Sequence, residues 1–144
     1  MRRIYDLFPH SEEIAINYII VLKELSMNQY KESTLKKTTL EAKRLYDKYL
    51  SSEEIANKYS VILMSLSMHQ KNESALKKTT EEAKKVCKQH PSSNVIAFRY
   101  SISLFCLSRK QKKESELKQT ISEAKIIYEK DQSSAFGSFF YLLS

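Results

Sequence analysis

The chain has 144 residues, of which 42% are apolar and 28% are charged, and its formal net charge is +7. One glycine and two prolines are too few for a hairpin-rich β protein or a glycine-rich phosphate loop, so the composition favours an all-helical domain. The basic balance permits association with nucleic acid, an anionic membrane or an acidic protein partner.

Several classes of protein are disfavoured by what the sequence lacks. The start of the chain, Met1 to Asp6, is not followed by the apolar stretch of a signal peptide, and no apolar run is long enough to cross a membrane. Cys87 and Cys106 show no motif spacing, so we expect no disulfide, and a cytoplasmic location is the default expectation. Histidines, cysteines and acidic residues show no metal-ligand spacing, so we expect no metal, no cofactor and no enzyme activity.

The sequence repeats with a period of 41 residues. Tyrosines recur at this interval at positions 18, 59, 100 and 141, and the tripeptide Glu-Ala-Lys recurs at positions 41, 82 and 123. A fixed period of this size is typical of stacked repeats. We divide the single domain into a partial unit 1–9, full units 10–50, 51–91 and 92–132, and a partial unit 133–144. The partial units either cap the domain or mark it as a piece of a longer array.

Each unit is predicted to form two helices. The first follows a serine-rich junction, where Ser51 and Glu54 have the spacing of a capping box, and it is apolar nearly all round, which predicts burial on more than one side. The second helix, from about Glu32 to Tyr49, has one apolar stripe centred on Ala42 and a charged opposite face. The predicted fold is an α-solenoid of stacked antiparallel helical hairpins, with about three full repeats plus partial terminal units.

The unit resembles a tetratricopeptide repeat. The resemblance rests on Tyr18 and Leu22 on the first helix, on Ala42 and Tyr46 on the second, and on Pro9 and Pro91, each just before the next first helix. It departs from that family in its period, which is about 34 residues there, and in the absence of a small residue on the first helix. A different helical-hairpin solenoid is the competing interpretation. The resemblance implies a superhelix whose concave face, lined by first helices, binds peptide segments or helices of partner proteins.

One face of the first helix changes from unit to unit, whereas the packing positions recur. It is turned away from Tyr18 and Leu22, and such a variable face is a candidate groove for a protein or peptide partner; ordinary core packing is the alternative. Including basic neighbours that can contact acidic groups, the predicted partner-binding residues are Ile16, Ile20, Lys23, Met27, Asn57, Lys58, Met64, Met68, Phe98, Arg99 and Phe105.

A ladder of lysines on the second helices suggests a second function. Lysines recur at positions 36, 77 and 118 and again at 43, 84 and 125, and a row of stacked helices would align them along a nucleic-acid backbone. Glutamates at positions 32, 73 and 114 lie four residues before the first set, however, and this spacing favours ion pairs within each helix. Nucleic-acid binding is therefore the alternative to protein binding.

The last residues of the chain have the pattern of a first helix without its second helix. The run from Phe136 to Leu143 contains no charged residue, and a large apolar surface of this kind drives self-association when nothing covers it. We predict a homodimer contact through Phe139, Phe140, Leu142 and Leu143.

Overall fold

The protein is all-α in the part of the chain that the computed structural model describes, residues 2–130. This confirms the fold class that the composition predicts, and the second helix of the first full unit ends within one residue of its predicted end. The described residues contain no strand and form seven helices: α1 Arg2–Leu7, α2 Glu12–Met27, α3 Glu32–Lys48, α4 Glu53–His69, α5 Glu73–Gln89, α6 Asn94–Ser108 and α7 Glu114–Lys130. The first helices of the full units are α2, α4 and α6, and the second helices are α3, α5 and α7.

Each first helix begins at a serine cap that recurs with the period of the sequence. The side-chain oxygens of Ser11, Ser52 and Ser93 each accept a hydrogen bond from the backbone N–H three residues later, at 3.2 Å in every case. Such a bond satisfies one of the amides that a helix start leaves unpaired. The predicted capping box of Ser51 and Glu54 is wrong, because the cap is Ser52 and its third following residue is Ile55. Glu54 lies in the first turn, where its charge suits the helix dipole.

The packing of the helices follows the order of the units. First helices contact each other in sequence, α2 against α4 and α4 against α6, and each second helix packs on the first helix of its own unit. The second helices α3 and α5 also pack on the first helix of the next unit. These contacts are consistent with a helical repeat. Ala42, Ala83 and Ala124 are buried near the middle of the second helices, where a small side chain allows close approach of neighbouring helices.

A tyrosine on each first helix is bound to a glutamate on the second helix of the same unit. The hydroxyl groups of Tyr18, Tyr59 and Tyr100 donate to the carboxylates of residues 41, 82 and 123, at 2.6, 2.7 and 3.0 Å. Two of these carboxylates are each also bound by a lysine from the preceding unit. Lys43 Nζ lies 3.0 Å from Glu82, and Lys84 Nζ lies 2.7 Å from Glu123. The glutamate therefore closes its own hairpin and joins it to the unit before.

The surroundings of these groups shift their pKa values in opposite directions. Burial opposes ionisation of Glu82, but the hydrogen bonds from Tyr59 and Lys43 outweigh it and hold the pKa of the carboxyl below its ordinary value. The same balance, with Lys84 and Tyr100 as donors, lowers the pKa of Glu123. Burial is the main cause that raises the pKa of Tyr59, and the hydrogen bond to Glu82 raises it further. Tyr59 therefore remains a donor, and Glu82 and Glu123 remain anions, at neutral pH.

Removing one tyrosine hydroxyl tests how much this bond stabilises the fold. We expect Tyr59→Phe to lower the free energy of unfolding by about 1.5 kcal/mol, because the Glu82 carboxylate loses a partner in a partly buried site. Urea denaturation followed by circular dichroism measures the change. Tyr30→Phe is the matched control, since Tyr30 is 78% exposed, and it should alter stability by less than about 0.5 kcal/mol. Equal effects of the two changes would contradict the assignment.

Acid should weaken the fold through the same carboxylates. Because the pKa of Glu82 is lower in the folded chain than its ordinary value of 4.5, its contribution is present above that pH and is lost as the pH falls through the folded value. We expect the urea concentration at the unfolding midpoint of the parent protein to decrease as the pH is lowered through this range. In Glu82→Gln, which cannot titrate at this position, the midpoint should fall less steeply; parallel pH profiles for the two proteins would rule out this linkage.

Candidate functional site

The candidate site is the side of the first helices that lies opposite the second helices, called here the first-helix face. Tyr18 points to α3, and positions two residues before and after it lie on the other side of the helix, because each residue turns the helix by about 100°. The hydrogen bond between Ser67 Oγ and Ser103 Oγ, at 2.8 Å, marks the side by which α4 contacts α6. The face comprises Ile16, Ile20, Lys23, Met27, Asn57, Val61, Met64, Met68, Phe98, Ile102, Phe105 and Arg109.

Most side chains of this face are apolar and half-buried, and two of them, Ile16 and Phe105, also pack against the hydrophobic core. Met27 and Met68 are 56% and 61% exposed, and Val61 is the one member that is buried. All eleven residues predicted to bind a partner are half-buried or exposed, including Lys58 and Arg99 beside the face. Their role in binding stays a prediction.

The apolar character of the face changes along the row of helices. It is aliphatic on α2, where it presents Ile16 and Ile20; it carries Met64 and Met68 on α4; and it is aromatic on α6, where it presents Phe98 and Phe105. Arg109 lies over the Phe105 ring, with the guanidinium carbon 5.9 Å from the ring centroid, which is a cation–π distance. A partner segment would therefore meet different side chains at each unit.

Arg99 is a half-buried cation at the boundary between α4 and α6. Its Nη1 donates to the backbone oxygen of Asn57 at 2.8 Å, to the Asn57 side-chain oxygen at 2.5 Å and to Ser60 Oγ at 3.0 Å. Burial lowers the pKa of Arg99 below its ordinary value, and no carboxylate among residues 2–130 forms an ion pair with it. A desolvated guanidinium without a counter-charge favours the approach of an acidic group.

Two lysines extend the positive charge along the face. Lys23 Nζ lies 2.6 Å from Glu24 Oε1, and this contact holds the pKa of the Glu24 carboxyl below its ordinary value, with a smaller contribution of the same sign from Lys58. Lys58 occupies the position in its unit that Arg99 occupies in the next. The face thus combines an apolar surface with basic groups on at least two neighbouring helices.

The lysine ladder of the second helices is largely paired. Lys36 lies 3.1 Å from Glu32, and Lys118 lies 3.2 Å from Glu114, as the spacing of four residues predicts. The other set of lysines forms the contacts with Glu82 and Glu123 described above, and Lys125 lies 3.9 Å from Glu129. These ion pairs reduce the positive potential available to a phosphate backbone.

The described residues show neither a cluster of metal ligands nor a thiol with a lowered pKa. They contain no group of three or more histidines, cysteines or acidic residues placed to hold a metal ion. Burial raises the pKa of both thiols, Cys87 and Cys106, so each is protonated at neutral pH and a weak nucleophile. Across the same part of the chain, every helix is too short or too polar to cross a membrane.

The residues predicted to mediate self-association, Phe139, Phe140, Leu142 and Leu143, lie outside the described residues, so this contact stays a prediction.

Comparisons of the chain with protein-family models, with curated proteins and with solved structures find no match. The resemblance to the tetratricopeptide repeat therefore rests on the residues that carry it in the sequence.

Replacing Arg99 separates a binding role from a packing role. We expect Arg99→Met to change the free energy of unfolding by less than about 1 kcal/mol, because the change also removes the cost of a half-buried, unpaired cation. The backbone oxygen of Asn57 lies inside α4, where the helix already supplies a donor. Urea denaturation measures the effect, with Lys58→Met as the matched variant. A loss above about 2 kcal/mol would instead assign Arg99 to holding α4 and α6 together.

Proposed function

We propose that this chain is a non-catalytic protein–protein interaction module, a scaffold of tetratricopeptide-like helical hairpins stacked as a solenoid. Its first-helix face binds an apolar peptide or helix of a partner protein that also carries acidic side chains. The observation that carries this proposal is the combination of partly exposed apolar side chains, which vary from unit to unit, with a half-buried Arg99 that has no carboxylate partner in the described residues.

The chemistry of the face decides what kind of segment it suits. Burying apolar side chains against Ile20, Met64 and Phe105 supplies free energy in proportion to the area removed from water. Methionine adapts its shape to different partners, whereas a carboxylate placed at Arg99 fixes the register of the bound segment. Electrostatic attraction from the net charge of +7 would raise the association rate with such a segment.

A selection from a random peptide library displayed on phage tests the proposal. We expect enriched peptides to combine apolar residues at helical spacing with aspartate or glutamate, and fluorescence anisotropy with a labelled synthetic copy gives the affinity. Met64→Glu should abolish binding, because it places a charge in the middle of the face. The matched control is Leu40→Glu on α3, which is 65% exposed and aligns with Glu81 in the next unit.

The outcome that contradicts this function is equally specific. Binding that survives Met64→Glu and is lost in Leu40→Glu would move the site to the second helices. Failure to enrich any peptide sequence would remove the support for a peptide groove.

The nucleic-acid alternative is separated by titrating the chain with duplex and single-stranded DNA at two salt concentrations. If nucleic acid is the partner, binding should weaken steeply with salt and should fall further when Lys36, Lys77 and Lys118 are all changed to glutamine. We expect neither result.

A further inference from the structure

Of the four equivalent positions 5, 46, 87 and 128, the first three precede a first helix that the structure describes, and tyrosine rings fill the space between neighbouring units at two of these three. Tyr5 and Tyr46 occupy the same position on successive second helices, and both are buried. The Tyr5 ring lies 5.6 Å from the Tyr18 ring, and the Tyr46 ring stacks on Tyr59 with centroids 4.9 Å apart. In each case the ring packs on the recurring tyrosine of the following first helix.

The third equivalent position is Cys87, and its thiol leaves much of this space unfilled. The structure has a cavity of about 160 Å³ here, between α5, α6 and α7. Its apolar wall is formed by Cys87, Pro91, Ala97, Tyr100, Ile126 and Ile127. Ala97 and Tyr100 align with Ala56 and Tyr59 in the preceding unit. The preceding interface has a surface cleft of about 500 Å³ at the equivalent place, but Tyr46 lines it and Ala56 and Tyr59 do not. The ring therefore covers this part of the wall there, and the thiol of Cys87 leaves it open.

The size and lining of the cavity fit one aromatic ring. An apolar cavity of about 150 Å³ is large enough to hold benzene, and the Tyr46 ring shows that this environment accepts a ring stacked on the next tyrosine. The Tyr46 hydroxyl is buried without a hydrogen-bond partner, so the space is suited to the ring and offers nothing to a polar group at its far end. Ile126, where the preceding unit has Lys85, makes this wall more apolar.

The entrance to the cavity is basic. Lys84, Lys88 and Lys130 line its edge. Lys84 is paired with Glu123 at 2.7 Å, and Lys130 donates to the Pro91 carbonyl at 3.3 Å. Lys88 is exposed and forms no ion pair with a carboxylate of residues 2–130. The one carboxylate at the edge, Glu123, is already held by Tyr100 and Lys84, so an incoming anion meets positive charge.

We propose that this cavity, the Cys87 cavity, binds a small aromatic molecule that carries one anionic group, an aromatic carboxylate being the simplest member of the class. The ring takes the place that Tyr46 fills in the preceding unit and stacks on Tyr100, and the anion lies at the entrance beside Lys88. The ligand binds at the contact of α5, α6 and α7, so it stabilises the junction between the second and third full units. This site is independent of the first-helix face.

Benzoate is the probe, with benzyl alcohol as the ring without the charge and acetate as the charge without the ring. We expect benzoate to raise the thermal unfolding midpoint of the full chain in a saturable way at constant ionic strength. Benzyl alcohol should act more weakly, and acetate should have no effect. The methyl resonance of Ala97 should shift with benzoate along the same saturation curve, which locates the ligand in the cavity.

Three variants decide between this site and a general effect of benzoate. Cys87→Phe supplies the missing ring, so it should raise the unfolding midpoint without ligand and abolish the response to benzoate. Cys87→Ser keeps the cavity and should keep the response. Lys88→Glu, at an exposed position, should reduce the effect of benzoate on the unfolding midpoint and leave the effect of benzyl alcohol unchanged. It tests the proposal even if the core variant does not fold.

Two results would overturn the proposal. The absence of saturable binding to the parent chain would mean that the cavity is closed or occupied by the protein itself. Equal benzoate responses in the parent, Cys87→Phe and Lys88→Glu proteins would place the binding elsewhere on the surface.

Discussion

The arrangement of the units depends on a glutamate that accepts from two partners. Glu82 takes the Tyr59 hydroxyl from its own first helix and the Lys43 ammonium from the preceding second helix, and Glu123 repeats the arrangement with Tyr100 and Lys84. Helices α3, α5 and α7 contact first helices but not one another through their backbones in the described part of the chain. The long side chains therefore connect helices whose backbones do not come close to each other. Because each carboxylate is only partly desolvated and has two donors, the cost of burying its charge is offset.

This constraint also determines where the protein can vary. The side of each first helix that faces the second helices holds the tyrosine and its packing partners. In the described residues α4 also contacts two first helices, α2 and α6, and each of those contacts α4. Only the remaining side is free to change without loss of these contacts. The sequence of that side differs most between units, as the replacement of Ile16 by Asn57 and then by Phe98 illustrates. The recurring positions thus form the packing contacts, and the varying positions of the same helix carry the recognition proposed for this face.

Local features of the fold could be predicted from the sequence because they depend on neighbours along the chain. The helices, the burial of Ala42 and the pairing of Lys36 with Glu32 follow from periodicity and from spacings of three or four residues. The ion pair of Lys43 with Glu82 spans 39 residues and appears only once the units are stacked, although the recurrence of both residues was its signal in the sequence. The Cys87 cavity could not be predicted from the sequence, because a cysteine in an apolar stripe indicates only a small core residue. Its meaning depends on the ring that Tyr46 places against Tyr59.

Cys87 and Arg99 are two departures from strict repetition, and they have different consequences. In a stack where each unit contacts only its neighbours, stability is approximately a sum of unit and interface terms. The loss of a ring at Cys87 therefore weakens the interface between the second and third full units and leaves the Tyr46 and Tyr59 contact unchanged. The packing of α5 on α6 and the ion pair of Lys84 with Glu123 still hold that interface, so the cavity is tolerated. Arg99, on the same first helix as Tyr100, connects α6 to α4 on the opposite side of the hairpin. The third unit thus contributes Tyr100 to the Cys87 cavity and Arg99 to the edge of the first-helix face, so neighbouring residues of α6 belong to two separate proposed sites.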